Sequence, residues 1–138
     1  MPALFRFEVF TPYRPFYAEM VEAISLTLTD GEIGVYANHS PFTAPVVTGL
    51  LRVKQQGQWR TAFISGGILE VTEIKTILIV NAAEWPEEID STRAEVSGTQ
   101  AKEEITSAVF KFESDKAREK LLRSQYRIKA AEMGSQEK

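Results

Sequence analysis

Residues Glu84-Trp85-Pro86-Glu87-Glu88-Ile89-Asp90-Ser91-Thr92-Arg93-Ala94 divide the chain into two different kinds of polymer. Before them, apolar residues recur at every second position and Gly, Pro and Asn interrupt often. After them the apolar spacing becomes helical and proline does not return. Pro86 marks the change, because its fixed φ and missing N–H suit a first helical position and forbid a continuing central strand. Asp90 carries a short carboxylate suited to the unpaired N–H groups at a helix start. The stretch reads as the hinge of an α+β protein. Residues 1–85 form a β half that docks, and residues 86–138 form a helical half that moves.

Upstream of the hinge the pattern is that of short strands. Phe5, Phe7 and Val9 alternate with Arg6 and Glu8, which gives one buried and one wet face. Two prolines break this run between Thr11 and Pro15. From Met20 to Thr29, Ile24, Leu26 and Leu28 face one way while Ser25, Thr27 and Thr29 face the other. Gly31–Tyr36 is a further strand, followed by the irregular loop Ala37–Phe42. Extended structure resumes at Val46-Val47 and at Leu50–Lys54, with Thr48-Gly49 between them. Gln55-Gln56-Gly57-Gln58 turns the chain into Trp59–Ile64. Ile68–Thr72 and Thr76–Ala83 complete the series. Nothing helical separates these strands, so the pattern predicts an antiparallel β-sandwich and not a parallel α/β sheet.

Downstream, Ala94, Gly98, Ala101, Ile105 and Ala108 form one helical stripe of small residues. Gly98 costs about 1 kcal/mol against Ala, so this helix is weak alone. Phe110–Ser114 breaks the register and is the expected turn, with Ser114 capping a second helix. Ala117, Leu121, Ser124, Ile128 and Ala131 repeat the stripe. The two narrow stripes predict an antiparallel helical hairpin with too little apolar area to be rigid by itself.

Bulk properties exclude several functions. The chain has 138 residues and a net charge of −3, which argues against a dedicated nucleic-acid binder. It has no cysteine, hence no disulfide, thiolate metal site or thiol nucleophile. No run of about 18 apolar residues is present to span a membrane. His39 is the only histidine and has no partner at metal-ligand spacing, so it reads as a loop residue bonding local backbone and no metal site is expected. Ser65-Gly66-Gly67 lacks the Lys and helix of a phosphate loop and reads as a tight strand turn.

The second helix carries more information. Lys116, Arg118, Lys120, Arg123, Arg127 and Lys129 are opposed there only by Glu119, and they read as a basic face. Arg123 and Arg127 are four apart, and paired guanidinium groups match phosphate or carboxylate in bidentate geometry. At the hinge, Asp90 and Arg93 are one turn apart. Composition and spacing alone stop at a β-sandwich with a basic helical arm, whose natural partner is an acidic protein surface or a nucleotide phosphate. The competing reading is a stand-alone β-sandwich adaptor whose basic hairpin binds an acidic protein partner.

Three stretches in series resemble the epsilon subunit of bacterial F-type ATP synthases. They are Gly31-Glu32-Ile33-Gly34-Val35 with His39-Ser40-Pro41-Phe42, then Ser65-Gly66-Gly67-Ile68-Leu69-Glu70-Val71, then Ala83-Glu84 with Ile89-Asp90-Ser91-Thr92-Arg93-Ala94. The resemblance implies a sandwich of about ten strands and a two-helix hairpin in a non-catalytic rotor subunit of a proton-translocating enzyme. It implies that the sandwich meets the gamma subunit and the c-ring, with Gly31, Glu32, His39, Ser40 and Pro41 in the contact loop. It implies that the basic face of the helices opposes ATP hydrolysis in the alpha/beta catalytic head. No cofactor is required, but ATP acts as a regulatory ligand in some members. The nucleotide residues carried over are Glu84, Ile89, Asp90, Arg93, Ala94, Arg123 and Arg127. The implied location is the cytoplasmic face of the bacterial plasma membrane, peripheral and held there only through the complex.

Overall fold

The computed structural model describes residues 2–137. Nine strands come first: β1 (Phe5–Phe10), β2 (Pro15–Val21), β3 (Ala23–Leu28), β4 (Gly31–Tyr36), β5 (Phe42–Gln55), β6 (Gln58–Ile64), β7 (Gly67–Val71), β8 (Thr76–Val80) and β9 (Ala83–Glu84). A 3-10 turn at Pro86–Glu88 leads to α1 (Ser91–Ser107) and α2 (Lys111–Gln136).

The strands run in the order β2-β1-β8-β7-β5-β3-β4, with β6 on β5 and β9 on β6. Strand β5 serves both layers. Its first part, Phe42–Val46, pairs with β7, and its later part, Gly49–Gln55, pairs with β6. The register against β3 shifts between Leu26 and Leu28, and this irregularity lets β5 pass from one layer to the other. The strand therefore continues through Thr48-Gly49, where the sequence suggested two separate strands. Phe7, Val9, Leu69 and Leu78 from one layer meet Ile24, Leu26, Leu51 and Val53 from the other in a single buried core. Burial of each such side chain stabilises by about 1.5–3 kcal/mol.

Two further features depart from the alternation pattern. Strand β2 begins at Pro15, well before Met20, and the chain bends at Glu22 before β3. Strand β2 lies at the sheet edge, where a residue without an N–H costs no ladder bond. Strand β1 pairs parallel with β8, from Phe7 opposite Thr76 to Phe10 opposite Ile79, within a sheet whose other pairings are antiparallel.

The hinge behaves as its residues require. Pro86 opens the 3-10 turn, and the Asp90 side chain accepts from the Arg93 N–H at 3.0 Å to cap α1. The start of α2 differs from expectation. It begins at Lys111, behind Phe110, and Ser114 lies inside the helix, where its hydroxyl accepts from Arg118 Nε at 3.2 Å. The interhelix turn is thus Ala108–Phe110. The stacked rings of Phe110 and Phe112, 5.7 Å apart, sit at this tip.

Candidate functional site: the seam between sandwich and hairpin

Helix α1 packs on α2, and α2 packs on β5, β6 and the 3-10 turn. The buried residues between the helices are small: Ala94, Gly98 and Ala101 on α1, and Ala117 and Ser124 on α2. Ala131 stays on the stripe, within about 20° of Ser124, and is half-buried; Ala130 is buried about 120° away, on the side of α2 that meets the sandwich. A side chain at Gly98 would meet the Ser124 hydroxyl at 2.6 Å, so glycine there permits the close approach. The Ser124 hydroxyl donates to the Ala94 carbonyl at 2.5 Å, and Lys120 Nζ reaches Glu104 at 3.1 Å.

Between α2 and the sandwich run several polar contacts. Arg127 donates from Nε and a terminal nitrogen to the two Glu84 oxygens, both at 3.0 Å. Its guanidinium also lies 4.7 Å from the centre of the Phe63 ring. The Thr48 hydroxyl donates to Glu119 at 2.8 Å. The Thr61 N–H donates to Glu137 Oε2 at 3.0 Å, and its hydroxyl donates to Oε1. Gly134 lies against the Pro86 ring so closely that a Cβ would collide with it. One large apolar side chain takes part: Phe63, fully buried and outside the sandwich core cluster, lies beneath Arg127.

The turn before α1 is pinned to the sandwich separately. Trp85 stacks on Phe16 at 4.7 Å, and the Arg60 guanidinium lies 3.6 Å over its ring. Arg60 also pairs with Glu87 at 2.9 Å, and Arg14 pairs with Glu88 at 2.6 Å.

The seven residues proposed for nucleotide are only partly assembled. Glu84 and Arg127 hold each other. Asp90, Arg93 and Ala94 meet at the start of α1, where the Ala94 N–H also bonds the Asp90 carbonyl at 3.0 Å. Ile89 ends the 3-10 turn. Arg123 pairs along its own helix with Glu119 at 3.6 Å, and the Arg93 side chain is exposed. None of the seven lines the cleft of about 710 Å³ between Trp59, Arg60, Pro86, Gly134 and Glu137.

The six basic residues do not share one face. At 3.6 residues per turn, Lys116, Lys120, Arg123 and Arg127 fall within about 60° of arc, and Arg118 and Lys129 lie on the opposite side. Of the first group, Arg127 pairs with Glu84 across the seam, Lys120 with Glu104 of α1 and Arg123 with Glu119 of its own helix, while Lys116 is exposed. The five contact-loop residues are likewise separated by β4. Gly31 and Glu32 stand at its start, and His39, Ser40 and Pro41 lie beyond its end, about 17 Å away. All five are exposed. His39 Nδ1 lies 2.8 Å from the Ser40 carbonyl, as a loop histidine bonded to local backbone. Ser65-Gly66-Gly67 is a strand turn, with the Ser65 N–H on the Ala82 carbonyl at 3.0 Å. Among the described residues no group of three or more His, Asp or Glu side chains could hold a metal ion.

Comparison with known proteins gives this geometry its context. Residues 4–86 match the family model described as ATP synthase, Delta/Epsilon chain, beta-sandwich domain. The chain is 43% identical over 132 residues to a protein named ATP synthase epsilon chain from Caldanaerobacter subterraneus subsp. tengcongensis, covering 95% of this chain and 96% of that one. A Caldicellulosiruptor bescii protein of the same name is 42% identical over 135 residues, covering 98% of both chains. The chain belongs to the ATP synthase epsilon-chain family. Members of the epsilon-chain family are non-catalytic subunits of the synthase complex. The fold matches a chain in a cryo-EM structure of the Euglena gracilis mitochondrial ATP synthase containing OSCP, F1 and the c-ring. The TM-score is 0.81 at 22% identity, over 95% of this chain and 82% of that one. Among the described residues no helix is long and apolar enough to cross a membrane.

Sequence reasoning missed Glu119 and Glu137 as docking residues. One signal was present: they are 18 positions apart, which is five turns of a 3.6-residue helix, so they share a face.

Proposed function

We propose that the chain is a rotor subunit in the central stalk of a proton-translocating F-type ATP synthase. In this reading the sandwich grips the gamma subunit and the c-ring and passes torque without making or breaking bonds. Its hairpin leaves the sandwich to oppose ATP hydrolysis in the alpha/beta head. The complex holds the subunit at the cytoplasmic face of the plasma membrane, which accords with the bacterial relatives.

The observation that carries the switching part is the character of the seam. Its principal tie is the Arg127–Glu84 fork, joined by threonine–glutamate bonds and small-residue contacts. Ionic partners of this kind can be exchanged for water or another protein, whereas a buried apolar interface cannot without a large loss. Once free, Arg123, Arg127, Lys116 and Lys120 present cationic groups from one side of α2 to acidic residues of a catalytic subunit. ATP could favour the closed form only through higher affinity for it. Its phosphates match the bidentate geometry that Arg127 now offers to Glu84.

Truncation after Glu84 tests the division of labour. The shortened chain is expected to assemble and couple while ATP hydrolysis by the complex rises. Failure to bind the gamma subunit, or hydrolysis unchanged, refutes it. Calorimetry of the full chain tests the nucleotide role. ATP binding weakened by Arg123→Ala and by Arg127→Ala is expected, and no heat at millimolar ATP removes the sensor while leaving inhibition standing.

A further inference from the structure

We propose that Thr61 forms a carboxylate-binding seat on the open edge of β6, that Glu137 is its ligand in the closed hairpin, and that this clip holds the far end of α2. The proposal rests on the reading that the hairpin docks and undocks, and it names a second contact, besides the Arg127–Glu84 fork, that holds the closed form.

The seat follows from the sheet. Strand β6 pairs with β5 along its whole length, but its other edge meets β9 only at Phe63 and Ile64. From Gln58 to Ala62 that edge has no partner strand. A strand edge presents outward N–H groups that must be paired or wetted. Thr61 is fully buried at this edge, so its N–H and hydroxyl need specific partners. Both donate to the same carboxylate, one to each oxygen of Glu137. Arg52 Nε, reaching from β5, donates in turn to the Thr61 hydroxyl at 3.4 Å. A cation thus stands behind the hydroxyl and strengthens its donation. Two donors from one residue, backed by a guanidinium, constitute a bidentate carboxylate site.

The same chemistry recurs five turns earlier, where the Thr48 hydroxyl, buried on β5, meets Glu119. The two glutamates share one face of α2, about 27 Å apart along its axis. The cleft bounded by Trp59, Arg60, Pro86, Gly134 and Glu137 lies beside the seat. It gives water a route to Thr61 once the carboxylate leaves, so release does not strand a buried N–H.

Hydrogen–deuterium exchange of the full chain, resolved at the Thr61 amide and at the last turn of α2, tests the seat. Glu137→Gln keeps the side-chain size and loses the charge. It is expected to raise exchange at both places roughly ten-fold or more, while the β3–β5 ladder stays unchanged. Thr61→Val is expected to loosen the end of α2 similarly, and Thr61→Ser to restore it. Thr61 exchange unchanged in Glu137→Gln overturns the proposal, as does a Thr61→Ser variant no better than Thr61→Val. If the exchange changes appear but truncation after Glu84 leaves hydrolysis by the complex unaltered, the seat stands and the inhibitory reading falls.

Discussion

Replacing Arg127 with Ala removes the principal tie between hairpin and sandwich. The Arg127 and Glu84 side chains retain 30% and 28% of their exposure, so the pair is neither at the surface nor in the core. An exposed ion pair contributes about 0.2–1 kcal/mol and a well-made charged hydrogen bond about 1.5–3 kcal/mol. Two bonds at 3.0 Å with partial shielding place the fork at about 1–2 kcal/mol. The guanidinium over Phe63 adds about 0.5 kcal/mol. A total of about 2 kcal/mol corresponds to about a 30-fold shift of the docking equilibrium toward the open form. Under the proposed switch α1 and α2 open locally while the sandwich stays folded, so amide exchange reads this directly. Arg127→Ala should speed exchange along α2 about 30-fold and leave β1, β7 and β8 unchanged. Arg127→Lys keeps the charge but loses the fork and the flat face, and should recover only part of the protection. A change below about three-fold in Arg127→Ala would mean that the fork is incidental and that another contact holds the hairpin.

Gly134→Ala sets two effects against each other. Alanine favours an isolated helix by about 1 kcal/mol, but its Cβ collides with the Pro86 ring. Overpacking of this kind costs about 1–3 kcal/mol, so exchange at Ser135–Glu137 should rise and the hairpin should melt earlier than wild type. Glu8 gives a pH test in the sandwich. Its hydrogen bond from Lys75, then that from Arg6, holds its carboxyl below the ordinary glutamate range. A depressed folded pKa contributes stability above the unfolded value of about 4.3, and that stability is lost as pH falls below it through the folded value. Urea unfolding followed across that range should show Glu8→Gln with a flatter acid limb than wild type.

The sequence revealed most where each residue acts through its neighbours. Alternation located β1 and β3, flanking glycines located β4, the punctuation at Glu84–Ala94 located the hinge, and Asp90 caps α1 as its chemistry requires. Ala94, Gly98, Ala101, Ala117 and Ser124 were legible as a small-residue stripe and are buried between the helices. What escaped depends on distant partners. Pro15 looks like a breaker until β2 is known to be an edge strand. Thr48-Gly49 looks like a gap until β5 is seen to change layers. Ser114 is a good cap by type, but the chain has already become helical behind Phe110. The basic residues of α2 gave a charge count, and only the placement of Glu84, Glu104 and Glu119 shows which of them are engaged.

The parallel pairing of β1 with β8 bears on how the chain is made. The β1–β2 hairpin leaves the ribosome well before the strand that covers its inner edge, which begins only at Thr76. Translation at about 5–20 residues per second leaves that edge open for several seconds. During this interval Phe7 and Val9 sit on an unsealed template that another nascent chain could pair with. A message cut short before β8 would therefore release a sticky hairpin instead of a smaller sandwich.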